Sequence, residues 1–232
     1  MKNWLWFILF LASSTSANII ITGTRVVYPA EQKLVNVQLS NETDRPALMQ
    51  AWIDDGDEFS SPSTLSGERV PFIIVPPVAR MEANEGQALR IAYTGAKSLP
   101  VDRESLFYLN VLDIPPKPKQ NEQGSNNYLQ ISLRSRIKLF YRPKLAMPID
   151  EAYGKVQWSL QKNGLLIENP TPYYITFTGA LVNNKPIGYI GMVAPFANLE
   201  VKTKAKLHKG QKLTYSIIND YGGDYQQDTI IN

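Results

Sequence analysis

The chain has 232 residues, no cysteine, one histidine and a formal net charge of +3. Without cysteine there is no disulfide framework, thiol nucleophile or thiolate metal site, and a single histidine removes multi-histidine metal centres. The 24 Lys and Arg residues are scattered along the chain, which argues against a nucleic-acid partner, although a small positive balance favours an acidic partner surface by steering.

In chain order, Lys2, the apolar run 4–12 and the small polar stretch ending at Ala17 read as a secretory signal peptide, cleaved after Ala17. The run is too short to cross a hydrocarbon core of about 30 Å, and no later segment reaches the ~18 apolar residues of a membrane-spanning helix. The mature chain is therefore expected outside the cytoplasm, with no membrane insertion and with stability drawn from packing alone.

Beyond residue 17, short alternating segments are punctuated by Pro, Gly, Asn and Asp, and no long stretch keeps a helical period. Val35, Val37 and Leu39 alternate with polar residues, as do Leu89, Ile91 and Tyr93, then Val156, Trp158 and Leu160, then Leu213, Tyr215 and Ile217. Each set lines one face of a sheet. The pattern predicts an all-β chain of β-sandwiches. Pro143 and Pro148 interrupt strand pairing before a fresh alternation begins at Val156, so two domains are expected, 18–143 and 144–232.

Between the strands, Asn41-Glu42-Thr43 fits a glycosylation sequon but is read as structural. The acidic group Asp54, Asp55, Asp57 and Glu58 lacks the spacing of a calcium loop, and Asp55-Gly56 suits a hairpin turn. Residues 114–127, with Pro115, Pro116, Pro118 and a polar tract, have too few apolar residues to form a core of their own.

Residues 128–141 contain neither Gly nor Pro and exceed the usual strand of about five or six residues. Two readings stand here. Leu129, Ile131 and Leu133 either face the core of a central strand or form an uncovered row on an edge open to another chain. Arg134, Arg136 and Lys138 occupy the opposite parity. Ser135 and Lys138 match the Ser-x-x-Lys motif of some acyl-transfer enzymes, but that chemistry needs both side chains on one face, whereas strand spacing of three separates them. His208 beside Lys206 and Lys209 reads as a surface histidine. No catalytic, cofactor or metal site is expected, and the chain reads as a binding protein, not an enzyme.

Several stretches resemble the periplasmic chaperones of the chaperone-usher pilus pathway: Thr24-Arg25, Asp102-Arg103-Glu104-Ser105 leading into Phe107-Tyr108-Leu109-Asn110, and 137–143. Asn169-Pro170-Thr171-Pro172-Tyr173-Tyr174 and Ile218-Asn219-Asp220-Tyr221-Gly222-Gly223 continue the resemblance in the same order. It implies two immunoglobulin-like sandwiches in a boomerang arrangement. It also implies a chaperone that binds, folds and caps pilus subunits by donor-strand complementation and delivers them to an outer-membrane usher. By the same resemblance, Leu129, Ile131 and Leu133 form the donor strand, and Arg25 and Lys138 hold the subunit's C-terminal carboxylate. Glu104, Arg142 and Asp220 tie the domains together. Pro46, Leu48, Gln50, Pro76 and Val78 fall on the surface facing the usher.

Self-association is a further expectation for the unloaded chain, and a non-catalytic exported adhesin or ligand-binding sandwich is the alternative reading. One geometric problem comes with the assignment. Ideal alternation puts Lys138 on the face opposite Leu129, Ile131 and Leu133, so it requires a twist, a bulge or a cleft reached from the strand's other side.

Overall fold

The computed structural model describes residues 19–63, 70–116 and 130–232. The signal peptide at 1–17, Leu129 of the expected donor row and most of the 114–127 loop lie outside them.

The first sandwich is built from β1 (Ile19–Ile21), β2 (Arg25–Pro29), β3 (Val35–Asn41), β4 (Ala47–Asp54), β5 (Phe72–Val75), β6 (Val78–Met81), β7 (Gly86–Tyr93), β8 (Ser105–Ile114) and β9 (Leu133–Arg142). One sheet runs β1-β3-β7-β5 and the other β2-β9-β8-β4-β6. The alternation seen in sequence is the inward face: Val35, Val37 and Leu39 meet Leu89, Ile91, Met49 and Leu109 in one buried cluster. Phe72 is at its aromatic centre, with the rings of Tyr28, Phe107 and Tyr141 at 5.6, 4.9 and 6.1 Å.

The second sandwich follows a short helix, α1 (Ile149–Tyr153), and comprises β10 (Gln157–Gln161), β11 (Gly164–Glu168), β12 (Ile175–Val182), β13 (Lys185–Pro186), β14 (Met192–Val193), β15 (Asn198–Lys202), β16 (Lys212–Ile218) and β17 (Asp224–Ile230). Strands β10-β11-β15 form one sheet; β13-β12-β16-β17, with β14 on β12, form the other. Trp158 fills the middle, its ring 5.6 Å from Phe177 and 5.4 Å from Tyr215. Helix α1 was not visible as a period because it is little more than one turn. Pro148 precedes it, and Asp150 and Glu151 lie in its first turn, the end of a helix where acidic residues are favoured.

The two domains repeat one corner. Asn41, at the end of β3, donates to the carbonyls of Arg45 (2.8 Å) and Glu82 (2.9 Å) and accepts from the Thr43 hydroxyl. Asn169, just after β11, donates to the carbonyls of Tyr173 (2.7 Å) and Ala194 (2.9 Å) and accepts from the Thr171 hydroxyl. Both asparagines are buried, so the Asn-x-Thr pattern at Asn41 serves to satisfy backbone carbonyls that turn away from the ladder.

Candidate functional site

Strand β9 has two different neighbourhoods. Strand β8 pairs with it in an unbroken antiparallel register from Asp113↔Leu133 to Ser105↔Tyr141. On its other side, β2 pairs in parallel only from Arg25↔Lys138 to Pro29↔Arg142. Backbone groups of residues 133–137 on that side therefore form an open edge. The strand begins at Leu133; Gln130, Ile131 and Ser132, which the sequence placed in it, precede it, and residues 128 and 129 lie outside the described residues. Beyond Ile114, β8 gives way to Pro115 and Pro116, which have no N–H to donate, and among the described residues 130–132 have no ladder partner. The Gln130 amide instead donates to the Pro115 carbonyl at 2.7 Å.

Side-chain exposure follows this pattern. Ile131 is 61% and Leu133 46% exposed, while Leu139 and Tyr141, of the same parity, are buried in the first core. The apolar row is thus the core face of β9 continued past the point where the sandwich covers it. Ser135 has that parity and Lys138 the other, so the Ser-x-x-Lys residues point to opposite faces.

Lys138 stands with Arg134 and Arg136 on the outer face of the sheet, and no bulge interrupts the β8–β9 register. The parity problem is resolved by a cleft on the strand's other side, where the second domain approaches. Across the sheet, register aligns Asp54, Tyr108, Lys138 and Arg25 in one row. The Lys138 ammonium donates to the Thr176 hydroxyl of β12 at 3.1 Å, and an Arg25 Nη donates to the Ile218 carbonyl of β16 at 2.9 Å.

Both cations are half-buried, and among the described residues neither has a carboxylate within 4.0 Å. Burial, reinforced by the neighbouring Arg25 charge, pushes the Lys138 ammonium below its usual pKa. Burial also lowers that of Arg25, against the pull of Asp220. Buried Arg25 Nε has no hydrogen-bond partner. Two repelling, partly desolvated cations with an unsatisfied donor form a site that an incoming anion stabilises.

Glu104, Arg142 and Asp220 meet at the domain junction. Arg142 donates through Nε to Glu104 at 2.7 Å and through both Nη atoms to Asp220 at 2.6 and 2.8 Å. The second Glu104 oxygen accepts the Tyr174 N–H at 2.8 Å, and the Glu104 N–H donates to the Pro172 carbonyl at 2.9 Å. Burial raises the Glu104 pKa, with Arg142 and the Tyr174 N–H pulling it back. Burial alone would lower that of Arg142, but its bonds to Asp220 and Glu104 outweigh that and hold it well above the ordinary value.

The β16–β17 turn presents Asp220 to Arg142 because the Asn219 side chain accepts the N–H groups of Tyr221 and Gly223 at 3.0 and 2.9 Å. Gly222 has φ +84°, and a Cβ there would sit 2.7 Å from the Thr24 hydroxyl of the first domain. Close approach and left-handed backbone both require glycine at that position.

A second buried network was not anticipated from the sequence. Asp54, fully buried at the end of β4, accepts Arg136 through both oxygens at 2.6 and 3.0 Å, together with the Asn110 amide at 2.7 Å and the Gly56 N–H at 2.8 Å. The Arg134 Nε donates to the Asn110 side-chain oxygen at 2.9 Å. These bonds hold the open half of β9 to the sheet, a role the acidic group did not suggest when weighed as a calcium site. Among the described residues no cluster of metal-ligating side chains occurs.

Burial raises the Asp54 pKa, but Arg136, Asn110 and Gly56 together bring it below the ordinary 3.8. A depressed carboxylate contributes stability above its unfolded pKa and loses it as pH falls through the folded one. Asp54→Asn is therefore expected to cost about 3 kcal/mol at neutral pH, the order of breaking a buried ion pair. The difference from the parent should shrink below pH 3.8, as measured by urea unfolding across the acid range.

Leu48, Gln50 and Val78 lie at the far edge of the same sheet, where β4 pairs with β6 through Leu48↔Arg80 and Gln50↔Val78, while Pro46 and Pro76 flank the two ends of that pairing. Leu48 and Val78 are exposed. Pro46 and Leu48 line an apolar depression of about 300 Å³ with Ile114, Pro115 and Gln130, next to the start of β9.

Comparison with known proteins places this geometry. Residues 18–146 match the family "Pili and flagellar-assembly chaperone, PapD N-terminal domain", and residues 151–229 match "Pili assembly chaperone PapD, C-terminal domain". The chain belongs to the pili assembly chaperone family. This chaperone is 48% identical over 228 residues to the chaperone protein HifB of Haemophilus influenzae, covering 97% of this chain and 93% of the relative.

Among solved structures, the CupB2 chaperone of Pseudomonas aeruginosa superposes on the chaperone with a TM-score of 0.77 at 40% identity, over 92% of this chain and all of the other. SafB, solved in complex with the SafA pilin of Salmonella enterica, gives a TM-score of 0.78 at 30% identity, covering 92% and 96% of the two chains. The adhesin-like alternative is thereby set aside. The fold is the two-domain sandwich arrangement of pilus chaperones.

Proposed function

We propose that this chaperone works in the periplasm, after export and cleavage behind Ala17, by lending the open edge of β9 to a pilus subunit. The domain division adopted for it is 18–143 and 144–232. The carrying observation is the coincidence of two features along β9: an uncovered apolar row at its open start and, farther along, the half-buried cation pair that its Lys138 forms with Arg25 of the adjoining β2. An incoming strand adds backbone bonds along residues 133–137, which is β-augmentation. Leu129, Ile131 and Leu133 enter the subunit's groove, while its terminal carboxylate settles between Arg25 and Lys138 and fixes the register. Glu104, Arg142 and Asp220 hold the second domain at the angle that closes this cleft. Pro46, Leu48, Gln50, Pro76 and Val78 face an outer-membrane usher. SafB, solved with a pilin bound, supports the subunit as partner.

The test changes the partner, not the chaperone. Co-expressed subunit of native length should be recovered in soluble complex, whereas a subunit lacking its last residue, whose new carboxylate ends about 3.3 Å short of the cation pair in the same register, should be recovered at about a tenth of that level or less. A charge-assisted hydrogen bond is worth roughly 1.5 to 3 kcal/mol. Equal recovery of the two would remove the carboxylate anchor from the mechanism.

A further inference from the structure

Most lysines of the second sandwich lie toward one end, with Glu200 and Asp228 as the acidic residues among them. Strand β16 runs from Lys212 to Ile218, whose carbonyl accepts Arg25 in the cleft; at ~3.3 Å per residue its ends are about 20 Å apart. Gly164↔Lys202 pairs the β10–β11 turn with the end of β15, and the Thr203 N–H donates to the Asn163 carbonyl at 3.3 Å. The turn at 161–164 and the loop at 203–211 therefore share the end remote from the cleft. Lys162, Lys202, Lys204, Lys206, Lys209 and Lys212 gather there with His208, all exposed, and no acidic residue lies between 202 and 212. Among these described residues only Lys212 has a carboxylate partner, Asp228 at 2.7 Å. An open groove of about 660 Å³ lies between turn and loop, edged by Lys162, Lys206 and His208, with Gln161, Asn163 and Thr203 alongside.

We infer that this end docks reversibly on a phospholipid bilayer with anionic headgroups. The choice of partner follows from the kind of cation. Arginine occurs only before residue 143, and there it makes two-pronged bonds to defined carboxylates, Arg136 to Asp54 and Arg142 to Asp220. The remote end carries lysine and no arginine. Lysine ammoniums are point charges on flexible stems, suited to a diffuse field of headgroups more than to one fixed carboxylate. The groove between turn and loop provides donors for a phosphate that enters the cluster. Docking there leaves the cleft, at the opposite end, free for its own partner.

The test is co-sedimentation of the mature chain with vesicles of phosphatidylcholine alone or mixed with phosphatidylglycerol. Binding is expected only to the mixed vesicles and should be reversed by salt. The triple variant Lys204→Gln, Lys206→Gln, Lys209→Gln should bind roughly a hundredfold more weakly, at about fivefold per lost charge. Its thermal midpoint and its recovery of subunit should stay at parent level, since none of the three residues touches the cleft. Binding to neither vesicle, equal binding to both, or parent-level binding by the variant would overturn the proposal. Retention on polyglutamate without vesicle binding would overturn it in favour of an acidic protein partner. None of these outcomes bears on the cleft, which subunit recovery tests separately.

Discussion

Lys138→Met is expected to remove subunit capture while leaving the free chaperone as stable as before, or more so. The ammonium is half-buried beside Arg25, bonded among the described residues only to the Thr176 hydroxyl, and its pKa is lowered by burial and by the Arg25 charge. A base whose folded pKa lies below its unfolded one costs the fold stability while it is charged, and the cost fades as pH rises toward the unfolded value. Methionine keeps an apolar stem in the same space and removes the charge. The fold then loses a repulsion and one hydroxyl contact.

The bound state loses a charge-assisted hydrogen bond worth roughly 1.5 to 3 kcal/mol, or about ten- to hundredfold in affinity. Arg25→Met should act in the same direction on capture, with a less favourable effect on the free chain because its Nη bond to the Ile218 carbonyl joins the domains. Soluble subunit recovered with each variant, set against the urea midpoint of that variant alone, separates the two effects. Lower stability with undiminished capture would mean that the pair serves the fold only.

How far this was readable from the chain depended on how local each signal was. Val35, Val37 and Leu39 report their burial through period two, which needs no knowledge of the partner strand. Their placement against Leu89 and Ile91 in one buried core agrees with that pattern. The Arg25↔Lys138 pairing joins β2 to a strand more than a hundred positions away, and alternation has no term for such a pairing. Only the motif resemblance brought these two residues together.

The start of β9 differs at 130–132 for a related reason: propensity favours extension there, but a strand also needs a neighbour, and β8 stops at Ile114 before Pro115. Asp54 was weighed with Asp55, Asp57 and Glu58 as a local cluster. Its real partner, Arg136, is 82 positions along. The shared parity of Arg134, Arg136 and Lys138 was visible in the sequence, but the buried acid that two of them surround required the β4–β8–β9 register.

Leu133→Asp should give the largest loss of all, and the free chain again provides the contrast. Leu133 and Ile131 are exposed; a carboxylate at Leu133 faces Asp113 across the β8–β9 ladder, and like charges directly opposite cost roughly 0.2 to 1 kcal/mol, too little to unfold the domain. If the row instead served the first core, as Leu139 does, a carboxylate at Leu133 would unfold the domain.

In the complex, each aliphatic side chain in a groove contributes about 1.5 to 3 kcal/mol, and an unpaired carboxylate taken out of water costs several more. Together these amount to at least a thousandfold, so no complex should survive purification. Ile131→Val removes a single methylene, about 0.8 kcal/mol, and should weaken capture roughly fourfold. A graded response from valine to aspartate, with the free chain folded throughout, is what an uncovered extension of the core face requires. Equal capture by parent and Leu133→Asp would mean that the open edge binds through its backbone alone, leaving the cation pair to set the register unaided.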